Sequence, residues 1–260
     1  YDMARLIALD PNQQLDKTEF TQPALLTAGV IAWRIWHDEN EERPSILAGH
    51  SLGEYTALVC AEAITFAEGL RLVAKRGALM QQAVAPGVGA MAAILGLGFE
   101  QVCQICDTDV QAANINAPGQ IVIAGTAEAV AVAIEKAKIA GAKRAILLPV
   151  SVPSHCELMR PAAEQFAADL ALVNWCKPKI TVLHNFDVQP HDSATNICEV
   201  LQKQLYSPVR WIETIEYFMH HGVTEIIECG PGKVLTGLNK RIAPLLTVNA
   251  INESLGAKLC

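Results

Sequence analysis

A serine set between glycines opens the chemical reading of this sequence. Gly49-His50-Ser51-Leu52-Gly53 forms a G-x-S-x-G between a short apolar strand, Ser45-Ile46-Leu47-Ala48, and an apolar helix over 55–61. In that setting the glycines permit a tight strand-to-helix turn that holds the hydroxyl clear of its neighbours. The helix that follows directs free N–H groups at the place where an oxyanion forms, and the N–H of Leu52 is the natural donor. The chemistry this predicts is nucleophilic acyl transfer through Ser51. The alternative is an ordinary serine in a glycine-flanked turn.

A serine hydroxyl needs a base. Seven histidines are available, at 37, 50, 155, 184, 191, 220 and 221. His50 adjoins the serine in sequence, so its side chain should diverge from that of Ser51. His155 ends Pro149-Val150-Ser151-Val152-Pro153-Ser154-His155, a proline-punctuated loop leading from a strand into a helix, where α/β proteins place reactive groups. It is the candidate base, with a loop histidine that merely caps structure as the alternative. No acidic residue stands out as a third triad member in the order where histidine comes last, so a neutral group such as a backbone carbonyl is expected to orient the base. Arg76 lies amid Leu72, Val73, Ala74, Leu79 and Met80, where a snorkelling, solvent-facing arginine is the plain expectation. Turned to the site instead, its fork could hold a carboxylate in two parallel hydrogen bonds. Cys103 and Cys106 read as one helical turn carrying two thiols rather than half a zinc site, and no metal is expected. Gly230-Pro231-Gly232-Lys233 lacks phosphate-loop spacing and reads as a turn starting a helix.

The elements that must position these residues follow from the apolar periodicity. Thr21-Gln22-Pro23 predicts a helix start, and acidic residues 38–42 with Pro44 predict its end. A helix over 65–84 carries Arg76. From 91 to 150 the pattern runs strand, short helix, two strands around Asn116-Ala117-Pro118-Gly119, alanine-rich helix, strand. That β-α-β-β-α-β order is ferredoxin-like and predicts an inserted subdomain over 88–152. Helices at 158–173, 194–205, 209–220 and 233–241 alternate with strands at 180–183 and 225–229. The fold class expected is α/β: a mostly parallel, hydrolase-like sheet domain from 1–87 and 153–260, interrupted by the smaller unit.

Composition excludes several classes. With 260 residues, 51% apolar and 18% charged, the chain can fill a sizeable core and is not disordered. Twenty basic against 27 acidic residues give a net charge of −7, so no general basic field attracts nucleic acid. No apolar run is long enough to span a membrane. The eight cysteines sit mostly in apolar stretches, which suits reduced thiols in a cytoplasm better than a disulfide framework. Tyr1-Asp2-Met3 is neither an initiator start nor a signal peptide, and reads as a chain beginning inside a longer one.

These residues together resemble the malonyl-CoA:acyl carrier protein transacylases of bacterial type II fatty acid synthesis. The resemblance rests on Gly49 to Tyr55, Arg76-Gly77 with Met80-Gln81, Asn116 to Gln120, Val150 to Cys156 and Gly230 to Gly237, in order from Thr21 to about Asn252. It implies that Ser51 is acylated, His155 is its base, Arg76 holds the malonyl carboxylate and Leu52 gives an oxyanion N–H. It implies further that the main-chain carbonyl of Gln204 orients His155, and that His50, Met80, Asn116 and Val152 line the pocket. Malonyl-CoA and the phosphopantetheine of acyl carrier protein would be the substrates of a cytoplasmic monomer with no bound cofactor. Lys143-Arg144 and Lys240-Arg241 are the candidate docking pairs for the acidic carrier. The family also begins with a strand ending in G-Q-G, whose glutamine supplies a second oxyanion donor, and no G-Q-G precedes Thr21 here. A serine thioesterase on the same scaffold and a degenerate non-catalytic fragment are the competing readings.

Overall fold

The Thr65 hydroxyl accepts from the N–H of Glu68 while the Glu68 carboxylate accepts from that of Thr65, a reciprocal cap that starts the helix carrying Arg76. The computed structural model describes residues 2–150 and 152–251; Ser151 of the histidine loop and Cys260 lie outside that range. The elements are α1 (Met3–Leu9), α2 (Thr18–Glu39), β1 (Ile46–Ala48), α3 (Gly53–Cys60), α4 (Phe66–Ala83), β2 (Gly89–Leu95), α5 (Phe99–Ile105), β3 (Val110–Ala117), β4 (Gln120–Thr126) and α6 (Ala127–Ile139). There follow β5 (Arg144–Leu147), α7 (Arg160–Ala171), β6 (Thr181–Leu183), α8 (Ala194–Gln204), α9 (Trp211–His220), β7 (Glu225–Glu228), α10 (Val234–Ile242) and β8 (Thr247–Ala250).

The chain is mixed α/β, but its parallel strands do not form one sheet. Among the described residues β1 pairs with β6 and β7 with β8, two separate parallel pairs, whereas β3-β4-β2-β5 form a four-stranded antiparallel sheet. The strands outside the antiparallel sheet pair in parallel as expected, and what is corrected is their joining into one sheet. The reason is spatial: residues of β1 and β7 both line a cavity of about 780 Å³ that separates the pairs. The antiparallel sheet has its own core, in which Ala92, Ile94 and Ile123 meet Val102 of α5 and Val130 of α6. Helices α2, α3, α4, α7 and α8 bury a larger cluster that includes Leu26, Leu58, Val73, Phe166 and Leu201. Each such side chain contributes about 1.5–3 kcal/mol on removal from water.

Two boundaries differ from expectation for tertiary reasons. Helix α2 begins at Thr18, leaving Pro23 inside it rather than near its start. Gly77 of α4 explains this, because a Cβ there would lie 2.7 Å from the Glu19 Cα and 2.8 Å from the Thr18 carbonyl, so α4 pins the added turn. Val209 is not helical: its N–H donates to Ala113 and its carbonyl accepts from Ile115, tying the antiparallel unit to the larger part. The loop at Gly230 does start a helix, and the Glu228 carboxylate accepts from the N–H groups of Leu235 and Thr236, occupying the donors a phosphate would need.

Candidate active site

Ser51 sits where β1 gives way to α3, at φ 53, in the left-handed region that an L-residue enters only when its surroundings hold it there. Gly49 makes that turn possible, since a Cβ at this position would lie 1.9 Å from the carbonyl carbon of Gly53. Gly53 is different. A Cβ there would meet nothing within 4 Å, so only the first glycine of the G-x-S-x-G is sterically required. Past the serine, the N–H groups of Gly53, Glu54 and Tyr55 return to the carbonyls of His50, Ser51 and Leu52. That of Leu52 takes no acceptor among the described residues, which leaves it to face a developing oxyanion.

His155 lies one hydrogen bond away. Its Nε2 is 2.7 Å from the Ser51 Oγ, and its Nδ1 is 2.8 Å from the main-chain oxygen of Gln204. A carbonyl can only accept, so Nδ1 carries the proton and Nε2 is free to take that of the serine. Burial pushes the His155 pKa down to about 3, the Arg76 charge pushing the same way, against the raising effect of the Gln204 carbonyl. The ring, 2% exposed, is therefore neutral and ready as a base at neutral pH. It too occupies the left-handed region, at φ 65.

Arg76 is not a snorkelling surface residue. It is 1% exposed, and helix α4 turns it inward beneath the serine. Its Nη1 donates to Gln22 Oε1 at 2.8 Å; its Nη2 donates to Gln204 Oε1 at 2.9 Å and to Ser51 Oγ at 3.3 Å. Its Nε finds no partner among the described residues, and its guanidinium lies 5.5 Å from the Tyr55 ring centre. All its acceptors are neutral oxygens. Desolvation lowers its pKa, opposed in part by the charge of Glu54, and among the described residues no carboxylate touches it directly, so one placed beside it would pair a buried cation.

The other expected residues take distinct places. His50 diverges from the serine: its Nε2 meets Asn116 Oδ1 at 2.8 Å and its ring lies 5.6 Å from that of Trp211. Burial lowers its pKa, so Nε2 is the donor of a neutral ring. A register shift between Ile115 and Ala117 of β3 presents Asn116 to it. Met80 is buried behind Arg76, where its sulfur accepts from Gln22 Nε2 at 3.4 Å. Val152, also buried, packs into the large core. The cavity between the strand pairs reaches Gly49, His50 and Leu52, but neither Ser51, His155 nor Arg76 forms its wall.

Four residues escaped the sequence reading: Gln22, Glu54, His184 and Asn185. Asn185, just after β6, accepts the Ser51 N–H on Oδ1 at 2.7 Å and donates from Nδ2 to the Gly49 carbonyl at 2.8 Å. Glu54, on α3, is fully buried, as are His184 and Asn185. A carboxylate directly after the G-x-S-x-G, in a helix otherwise apolar, was the signal available for it. Among the described residues no cluster of three or more His, Cys, Asp or Glu side chains is arranged to hold a metal. All seven cysteines among the described residues are free thiols.

Residues 1–242 match the family model described as the acyl transferase domain. A relative from Salmonella typhimurium, named malonyl CoA-acyl carrier protein transacylase, is 49% identical over 258 residues, covering 97% of this chain and 84% of the relative. The solved malonyl CoA-acyl carrier protein transacylase of Coxiella burnetii superposes with a TM-score of 0.95 at 47% identity, covering 99% of this chain and 84% of that one. A malonyl-transacylase solved in complex with the acyl-carrier protein of a type II PKS gives a TM-score of 0.95 at 49% identity, with 97% and 83% coverage.

Proposed function

This chain belongs to the acyl transferase domain family, and from that premise we propose how its residues carry the transfer. The chain moves a malonyl group from malonyl-CoA to acyl carrier protein, supplying fatty acid synthesis. In our reading the Ser51 oxygen attacks the thioester carbon while His155 Nε2 takes the hydroxyl proton. The carbon–sulfur bond breaks, and CoA leaves as the thiol with the proton from His155. The phosphopantetheine thiol of the carrier then gives its proton to His155 and attacks the malonyl-serine ester, and the proton returns to Ser51. Exchange of one thioester for another is close to thermoneutral, so the cycle is ping-pong and needs no energy source. The Leu52 N–H supports the oxyanion, the Gln204 carbonyl holds the base, and Arg76 receives the free carboxylate. His50, Asn116, Met80 and Val152 shape the surroundings.

The observation that carries this reading is a buried guanidinium 3.3 Å from a serine that is itself 2.7 Å from a neutral histidine. A simple esterase has no use for a buried cation at that position. The order β3-β4-β2-β5 supports a ferredoxin-like subdomain over 88–152, set into a hydrolase-like part formed by 1–87 and 153–260. All site groups come from one chain, which suits a monomer. The free thiols suit a cytoplasmic setting, and among the described residues no helix is long and apolar enough to cross a membrane. For carrier docking we retain Lys143-Arg144 and Lys240-Arg241, all exposed, with Arg241 also bonded to Gln120 and to the Pro118 carbonyl.

Incubation with malonyl-CoA followed by mass spectrometry should show one malonyl group on the wild-type protein and none on Ser51→Ala. Rapid malonate release without an acceptor thiol would favour a hydrolase, and an unlabelled wild type would sink the proposal. Arg76→Ala should lose malonyl transfer far more than acetyl transfer.

A further inference from the structure

Beneath the reacting groups lies a carboxylate that the mechanism does not use. Glu54 Oε2 accepts from the main-chain N–H of Asn185 at 2.9 Å and from Gln204 Nε2 at 2.8 Å; its Oε1 accepts from His184 Nδ1 at 2.7 Å. The two neighbours on Oε2 then diverge. Asn185 grips the turn on one side, holding the Ser51 N–H and the Gly49 carbonyl. Gln204 grips it on the other, donating from the same Nε2 to the Ser51 carbonyl at 3.0 Å, while its Oε1 accepts from Arg76 and its main-chain oxygen holds His155.

We propose that Glu54 is a positioning residue, a buried anion that fixes the Ser51 peptide through Asn185 and Gln204 and fixes the aim of Arg76 through Gln204, and so sets acyl-group selectivity as well as rate. This inference rests on the malonyl-transfer reading for its selectivity arm only. Two physical points support it. A primary amide oriented by a carboxylate on its NH2 must present its oxygen the opposite way, toward Arg76, so Glu54 decides which face of Gln204 the guanidinium meets. A buried carboxylate is costly unless donors satisfy it, and two of its three donors, Asn185 and Gln204, are also the residues that hold the Ser51 turn.

Glu54→Gln keeps the volume but removes the charge, and it sets donor against donor wherever its NH2 meets Asn185 or Gln204 rather than His184, whose ring can accept in its other tautomer. Its effect is read in two ways: the rate at which a fluorophosphonate labels Ser51, and the ratio of malonyl to acetyl transfer. Labelling should slow by about ten- to a hundredfold, the scale of a small misplacement of a reacting group. The malonyl-to-acetyl ratio should fall on the order of tenfold by the same reasoning. A merely structural defect would lower both transfers alike. Single-arm variants test the wiring even if Glu54→Gln does not fold: Asn185→Ala should slow labelling with the ratio intact, whereas Gln204→Ala should lower both. Wild-type labelling in Glu54→Gln would overturn the proposal, as would an Asn185→Ala ratio that falls as far as that of Gln204→Ala. Should the wild type label with the probe yet fail to transfer malonyl, the function reading fails, and the labelling rates alone decide the role of Glu54.

Discussion

In the antiparallel sheet, backbone meets backbone: Ala92 stands opposite Ile123, Ile94 opposite Ile121, and strands β2 to β5 supply one another's partners. At the Ser51 turn, backbone meets side chain. The Ser51 N–H goes to Asn185, its carbonyl to Gln204, and the Gly49 carbonyl to Asn185 again. The first arrangement depends on alternation and length, which many sequences satisfy. The second depends on single groups brought from distant parts of the chain, and losing one strands a buried polar partner at a cost of about 1–3 kcal/mol. Regular pairing builds the support, and irregular pairing holds the chemistry.

The sharpest way to break this contrast is at Gly49. A methyl there has no room against Gly53, so Gly49→Ala should abolish acyl transfer and cut the yield of folded protein, measured by turnover and soluble expression. In the sheet, Ile123→Ala removes a fully buried side chain and should cost about 2–5 kcal/mol in urea unfolding, while kcat of the folded fraction stays near wild type. A large kcat loss in that variant would show that the two regions are not separable. Protonation gives an intermediate effect. Because burial holds the folded His155 pKa near 3, below its ordinary 6.5, its contribution to stability is complete above pH 6.5 and is lost as pH falls toward 3. Each pH unit in that window removes up to about 1.4 kcal/mol, a slope that His155→Gln should flatten in denaturation curves taken from pH 7 to 5. The acid limb of kcat/KM should likewise fall well below pH 6.5. Smallest is Gly53→Ala: with open space around it and no left-handed φ, it should gain about 0.4–1 kcal/mol in thermal melts and keep its turnover.

The same contrast governs what the sequence disclosed. The β-α-β-β-α-β run was legible because strand alternation and an alanine-rich helix are local signals, and its elements fall within a few residues of expectation. Ser51 was legible because G-x-S-x-G is local too, and His155 because its loop links a strand to a helix. Helix α1 and strand β8 went unread, being short and weakly patterned. Arg76 was misjudged on its surroundings alone, since the helix face it occupies is decided by Gln22 and Gln204, 54 and 128 residues away. Glu54 and Asn185 belong to the same class: they are partners of one another, 131 residues apart in the chain.

Ser51 and His155 share a backbone twist that almost any residue other than glycine resists. Unfolding releases that tension at both members of the reacting pair, so these positions pull against the native state while their neighbours hold it. A protein with glycine at position 51 would give up its hydroxyl and relax there, which sets heat tolerance and turnover in opposition at the residue we propose to bond to the acyl group.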